Sequence, residues 1–209
     1  MPLTADAVYL WRADLDRPPV PFEALAGTLS PDENARADRL RRPLDRSRFV
    51  AARGLLRLLL GEALGLPARG LRFTYGPHGK PAVASGPRFN LSHSDGQALF
   101  ALSHAREVGI DIERVWDDLA VLSLAARWLP PPASAALSAL PPAARPAAFC
   151  RAWVRHEASL KARGLGLAAS GLPEADPARW TLLDLEVPPP YRATLAVGGS
   201  GVRIEWRDF

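Results

Sequence analysis

Only one cysteine, Cys150, occurs in 209 residues, so no intramolecular disulfide framework holds this chain and a reducing compartment is expected. No stretch of about 18 uncharged apolar residues is present, which excludes a membrane-spanning helix. The first residues carry Asp6, Asp14 and Asp16 with no long apolar h-region, so no secretory signal is expected and the protein is read as cytoplasmic. No five like charges run together, and basic runs interleaved with aromatics are missing, so neither a polybasic tail nor a nucleic-acid module is expected. Cys and His never cluster at ligand spacing, which removes zinc. Neither a Rossmann nor a P-loop fingerprint is matched, Gly164-Leu165-Gly166 included, and no G-x-S-x-G elbow appears. Lysine is also scarce: Lys80 and Lys161 stand alone among 26 basic residues.

What is present suffices for a folded domain. Apolar residues make up 48% of the chain, and a protein of this length buries roughly 70% of its unfolded surface, so a core forms without metal or disulfide staples. The net charge of +4 points to an anionic ligand or an acidic partner.

The order of elements is legible from periodicity. Residues 7–12 are dense in β-formers and read as a strand. Ser30 before Pro31, with acids in the next turn, starts a helix over about 31–40 that shows Arg36 near its end. A second helix spans about 44–63, where Phe49, Ala52, Leu56 and Leu60 keep helical spacing, and Gly65 and Pro67 end it. Strands follow at 71–75, 89–92, 98–102 and 108–113, with a turn at 76–81. A helical stretch is expected at 117–128, a loose connector or short helices at 129–146, and a strong helix at 147–163. Three strands close the chain at 180–187, 191–197 and 202–207. The pattern is α+β: two similar halves, 1–104 and 105–209, each with a small mostly antiparallel sheet and one long helix.

Three constellations carry chemistry. On a strand over Val108-Gly109-Ile110-Asp111-Ile112-Glu113, the carboxylates of Asp111 and Glu113 share one face and Gly109 leaves room beside them. Two carboxylates on one face repel unless a cation lies between them, and a hard divalent ion such as Mg²⁺ answers that; the plain alternative is a solvated edge strand. On the helix after Phe149, Glu157 and Lys161 stand at i, i+4, which is either a surface ion pair or a third carboxylate and an ammonium for the same site. Asn90-Leu91-Ser92-His93-Ser94 suits an anion-binding turn. Adjacent residues of a strand point apart, so Ser92 and His93 make a poor nucleophile and base.

Taken in order, Gly79-Lys80-Pro81, Phe89-Asn90-Leu91-Ser92-His93-Ser94, Val108-Gly109-Ile110-Asp111-Ile112-Glu113 and Trp153-x-x-x-Glu157-Ala158-x-x-Lys161-Ala162-x-Gly164-x-Gly166-Leu167 resemble the 4′-phosphopantetheinyl transferase superfamily, in its two-halved monomeric form. The arginine-bearing run 45–57 extends the likeness, which covers roughly residues 28–197. The resemblance implies transfer of the phosphopantetheine arm of coenzyme A to a serine of an apo acyl or peptidyl carrier protein, with release of 3′,5′-ADP. It also implies Mg²⁺, or Mn²⁺, on Asp111, Glu113 and Glu157, with Glu157 as base and Lys161 near the transferred phosphate. Lys80, Ser92, His93 and Arg48 match CoA-phosphate positions, His93 that of the 3′-phosphate, with Arg53 and Arg36 as further candidates. The first half would grip the nucleotide and the second would supply metal and base.

One departure stands out. His156 occupies a position where the family usually has lysine, so activity is expected to fall as pH rises above about 7. Val154 replaces a small hydroxyl residue, and 129–146 is poorly matched. Two rival readings share these residues: a metal-dependent hydrolase of CoA or nucleotides, and a CoA-binding homologue without activity.

Overall fold

The first strand, β1 (Ala7–Asp14), sets the architecture because its side chains alternate between two cores. Tyr9, Trp11 and Ala13 enter one, Val8 and Leu10 the other. The computed structural model describes residues 3–117, 120–166 and 176–209.

Three helices follow: α1 (Phe22–Ala26), α2 (Pro31–Asp38) and α3 (Pro43–Leu64). Ser30 and Pro31 begin α2 as expected, and the Glu33 carboxylate reaches back to the Ser30 N–H and hydroxyl, both at 3.0 Å. Glu33 also accepts from Arg53 (2.9 and 2.7 Å) and Arg57 (2.5 Å), which ties α2 to α3 through a buried triad. Helix α3 ends at Gly65 in the left-handed conformation, φ 66°.

Next come the short pair β2 (Phe73–Tyr75) and β3 (Pro81–Val83), then the hairpin β4 (Arg88–Ser94) and β5 (Gln97–Ser103). Strand β6 (Val108–Arg114) leads to the helices α4 (Val121–Trp128), α5 (Pro131–Ser138) and α6 (Arg145–Ala162). Strands β7 (Trp180–Leu185), β8 (Tyr191–Gly198) and β9 (Arg203–Arg207) complete the chain.

The first sheet has the order β4-β5-β1-β9, antiparallel except that β9 runs parallel to β1. The second has the order β6-β8-β7 and is antiparallel throughout. Helix α3 packs on one face of the first sheet through Leu55, Leu56, Leu59 and Leu60. The other face, through Val8, Leu10, Leu99 and Ala101, meets Val108, Ile110, Ile112, Leu195 and Val197 of the second sheet. Helix α6 then covers the outer face of the second sheet, where Ala158 and Ala162 pack with Ala196. The layers therefore run helix, sheet, sheet, helix, and each fully buried Leu, Ile or Val between them contributes roughly 1.5–3 kcal/mol.

The mixed α+β class is as expected, and nearly every expected element is present within a few residues. The expected connector at 129–146 holds α5 and a 3₁₀ turn at Pro142–Ala144. β9 comes from the end of the chain yet completes the first sheet, a long-range pairing that strand patterning leaves open. Leu167, and residues 118–119 of the expected stretch 117–128, lie outside the described residues. Among the described residues no helix is long and apolar enough to cross a membrane.

Candidate active site

The site is built where three elements meet: β4 of the first sheet, β6 of the second, and α6. Strand β6 turns Val108, Ile110 and Ile112 into the core between the sheets and Gly109, Asp111 and Glu113 the other way. What occupies the room beside Gly109 is helix α6 itself. A Cβ on Gly109 would lie 2.2 Å from the Ala158 carbonyl oxygen and 2.2 Å from the Ala162 nitrogen. Glycine is thus what brings the helix close enough for Lys161 to reach Asp111.

Asp111 is almost wholly buried. Its Oδ1 accepts from Ser92 Oγ at 2.7 Å and from Lys161 Nζ at 2.5 Å. Lys161 also pairs with Glu157 Oε2 at 3.1 Å and donates to Ser92 Oγ at 3.2 Å. Glu113 accepts from Ser94 Oγ at 2.7 Å. The i, i+4 pair is therefore no solvated surface bridge: it converges with Asp111 at the junction of the two sheets.

Burial raises the Asp111 carboxyl to about 6 in spite of the Lys161 ammonium. Burial, and then the charge of Asp111, raises Glu113 to about 7. Lys161 is pulled down by burial, but the charges of Asp111 and Glu157 outweigh that and its pKa lies above the ordinary lysine value.

This donor set fits a divalent cation. Among the described residues Asp111 Oδ2 is buried with no hydrogen-bond partner, a carboxylate oxygen that lacks the positive charge or donor it needs. Beside it Glu113 is destabilised as an anion by its neighbour, and hard oxygen donors of this kind suit Mg²⁺. Among the described residues no three acidic, His or Cys side chains already converge as a metal cluster. The Lys161 ammonium is the cation that lies between Asp111 and Glu157.

The remaining expected residues divide. The His93 ring is exposed on the opposite face of β4 from Ser92. Partial desolvation, and then the positive charges of Lys161, Arg48 and Arg36, hold it below the usual histidine value. That local excess of positive charge suits an anion. Arg48 reaches the same region, with Nε and Nη2 on Asp16 at 2.7 and 2.8 Å.

Lys80 is spent on structure. An ammonium has three N–H donors. Those of Lys80 go to Glu107 Oε2 (3.1 Å), the Val108 carbonyl (3.1 Å) and the Ala162 carbonyl (3.0 Å), which fastens the end of α6 to the start of β6. Arg53 lies in the Glu33 triad and over the Phe73 ring, away from the carboxylates. Ser92 gives its one proton to Asp111. His156 is buried and lines a cavity of about 240 Å³ with Leu129, Pro130 and Ala133, on the α4–α5 side of α6 rather than beside Lys161.

Sequence reasoning placed Asn90 and Ser94 in an anion-binding turn without giving either a role of its own, and it missed Glu107. Asn90, Ser92 and Ser94 stand at i, i+2, i+4 on β4, a polar face that was readable; Glu107 lies in a turn and carried no signal. Near the carboxylates opens a cleft of about 240 Å³ lined by His78, Gly79, Lys80, Asn90, Glu157 and Lys161, among others.

Comparison with known proteins fits this geometry. The family model described as the 4′-phosphopantetheinyl transferase superfamily matches residues 107–196, from the turn before β6 to β8. The 4′-phosphopantetheinyl transferase HetI of Nostoc sp. is 40% identical, over 95% of this chain and 91% of that protein. A putative 4′-phosphopantetheinyl transferase of Synechocystis sp. is 37% identical over 76% of this chain and 65% of its own length. The 4′-phosphopantetheinyl transferase psf-1 of Bacillus pumilus is 33% identical over 70% and 63%.

Proposed function

The chain belongs to the 4′-phosphopantetheinyl transferase superfamily and is a transferase, and on that premise we propose how its residues act. It transfers the 4′-phosphopantetheine arm of coenzyme A to a serine hydroxyl of an apo acyl or peptidyl carrier protein. The serine oxygen bonds to the phosphorus that carries the arm, the bridging P–O bond breaks, and 3′,5′-ADP leaves with the electron pair. The serine proton passes to Glu157, the general base. Asp111, Glu113 and Glu157 hold Mg²⁺, or Mn²⁺, which when bound supplies positive charge against the pyrophosphate. Lys161, the ammonium already among these carboxylates, turns toward the phosphate being transferred.

His93, Arg48 and Lys161 bind the CoA phosphates, a reading supported by the positive field around the His93 ring. Lys80, Ser92 and Arg53 do so only by exchanging their present partners. The proposal includes two pseudo-symmetric halves, 1–104 gripping the nucleotide and 105–209 carrying metal and base, acting as a cytoplasmic monomer. It is supported by the pairing of one long helix with each sheet, α3 with the first and α6 with the second.

The observation that carries the reading is the convergence of Asp111, Ser92, Glu157 and Lys161 within hydrogen-bond distances at the sheet junction. Catalysis in phosphoryl transfer is largely positioning and electrostatics, which such a cluster provides. The test is the intact mass of an apo carrier protein incubated with the protein, CoA and Mg²⁺. A gain of about 340 Da, lost in Asp111→Ala and without metal, is expected from the mass of the arm moved in this transfer. CoA breakdown with no gain would favour a hydrolase, and tight CoA binding with neither would favour an inactive binder.

A further inference from the structure

The free edge of β6 is completed by the side chains of β4 rather than by another backbone. Asn90 Oδ1 accepts the Ile110 N–H at 2.8 Å, and Ser94 Oγ accepts the Arg114 N–H at 3.2 Å. Unpaired edge N–H groups are costly where water is excluded, so these contacts hold the two strands in one register.

The register has a consequence for the carboxylates. A serine hydroxyl carries a single proton. With the Arg114 N–H filling the acceptor side of Ser94, that proton is directed at Glu113 Oε2, 2.7 Å away. Ser92 repeats the pattern two residues earlier: it accepts from Lys161 at 3.2 Å and donates to Asp111 Oδ1 at 2.7 Å. Two hydroxyls at i, i+2 of one strand thus address two carboxylates at i, i+2 of another. Among the described residues Ser94 is the one hydrogen-bond donor to the Glu113 side chain.

We propose that Ser94 is a positioning residue for the divalent-cation site, its hydroxyl holding Glu113 in one orientation so that Oε1 is left for the cation. This rests on the reading of Asp111, Glu113 and Glu157 as metal ligands. Without the hydroxyl, nothing in the strand holds the Glu113 carboxylate beside Asp111, and a swing to solvent removes a ligand. Partners that orient metal ligands are typically worth 10- to 100-fold in metal affinity.

The experiment is an Mn²⁺ titration of the CoA-bound protein followed by the electron paramagnetic resonance of free Mn²⁺, on wild type, Ser94→Ala and Ser94→Thr, with urea unfolding of each. Ser94→Ala is expected to weaken Mn²⁺ binding by about tenfold or more, with the KM for carrier protein unchanged, and Ser94→Thr to return it to within about threefold. If Ser94→Ala does not fold, Ser94→Cys takes its place, similar in size but a weak donor. Wild-type Mn²⁺ affinity in the alanine or cysteine variant, whatever its stability, overturns the proposal. A wild type that transfers the arm yet binds no Mn²⁺ overturns the metal assignment and this proposal with it. Failure of the transferase reading looks different, since the carrier then gains no mass with wild type.

Discussion

Gly109→Ala is the perturbation whose size the structure states most directly. The added methyl would sit 2.2 Å from the Ala158 oxygen, 2.2 Å from the Ala162 nitrogen and 2.8 Å from the Ala162 Cα. All three are backbone atoms of α6, so no side chain can rotate out of the way. Ordinary contacts lie at about 3.5–4.0 Å, and relieving the clash therefore takes a retreat of the helix by about 1 Å. Overpacking of this kind costs typically 1–3 kcal/mol, and a rigid helix against a rigid strand belongs at the upper end. Alanine in a strand interior returns roughly 0.5–1 kcal/mol relative to glycine, so a net loss of about 2 kcal/mol is expected.

The same retreat carries Glu157 and Lys161 away from Asp111, stretching a 2.5 Å contact. A misplacement of about 1 Å in catalytic groups costs on the order of 100-fold in rate. Urea unfolding gives the first number, and initial rates of carrier modification at saturating CoA give the second, measured where the variant is fully folded. Gly70→Ala is the control: none of the described residues lies within 4 Å of its added methyl, so it should stay within about 0.5 kcal/mol of wild type. A Gly109→Ala protein as stable as wild type and within threefold of its rate would refute the argument that this glycine sets the distance between helix and carboxylates.

The charges lead to three other predictions. In Glu33→Gln the guanidinium of Arg57, 1% exposed, loses its carboxylate, and breaking a buried pair from one side costs about 3–5 kcal/mol; a fall in unfolding free energy below about 1 kcal/mol would mean the triad is not formed. Asp111 and Glu113, raised to about 6 and about 7, must lose their protons to hold Mg²⁺. Affinity is therefore expected to weaken about 20-fold from pH 8 to pH 6, and calorimetry with equal affinities at the two values would contradict it. The sign for stability is opposite. Folded-state values above the unfolded ones stabilise the metal-free protein at low pH, and that contribution is lost as pH rises through about 6 and then 7. Mg²⁺ should restore part of it, seen as a larger rise in melting temperature at pH 8 than at pH 6.

Most of the elements were readable because their signals are local. Period-2 alternation marked β6 and separated Asp111 and Glu113 from the isoleucines; helical spacing and a glycine stop marked α3; Ser30-Pro31 marked the start of α2. The face shared by Glu157 and Lys161 followed from i, i+4 geometry alone. The role of a lysine or arginine was not readable in this way, because a basic side chain reaches several residues in any direction. Lys80, expected on a phosphate, spends its three donors on Glu107 and two carbonyls. Arg53, expected on the cofactor, sits with Glu33. His156, expected beside the phosphates, lies buried toward α4 and α5.

Sequence by itself determined which residues could form strands and helices, that Asp111 and Glu113 share a strand face, and that Glu157 and Lys161 share a helix face. These follow from backbone periodicity and from chemistry within a few residues. Tertiary structure alone decided that β9 closes the first sheet beside β1, that the space next to Gly109 is filled by α6, and that Ser92 and Ser94 hold the acids of a different sheet. Those outcomes depend on how two sheets stack and on where their edges meet, and no local pattern encodes the distance between surfaces that are far apart in the chain.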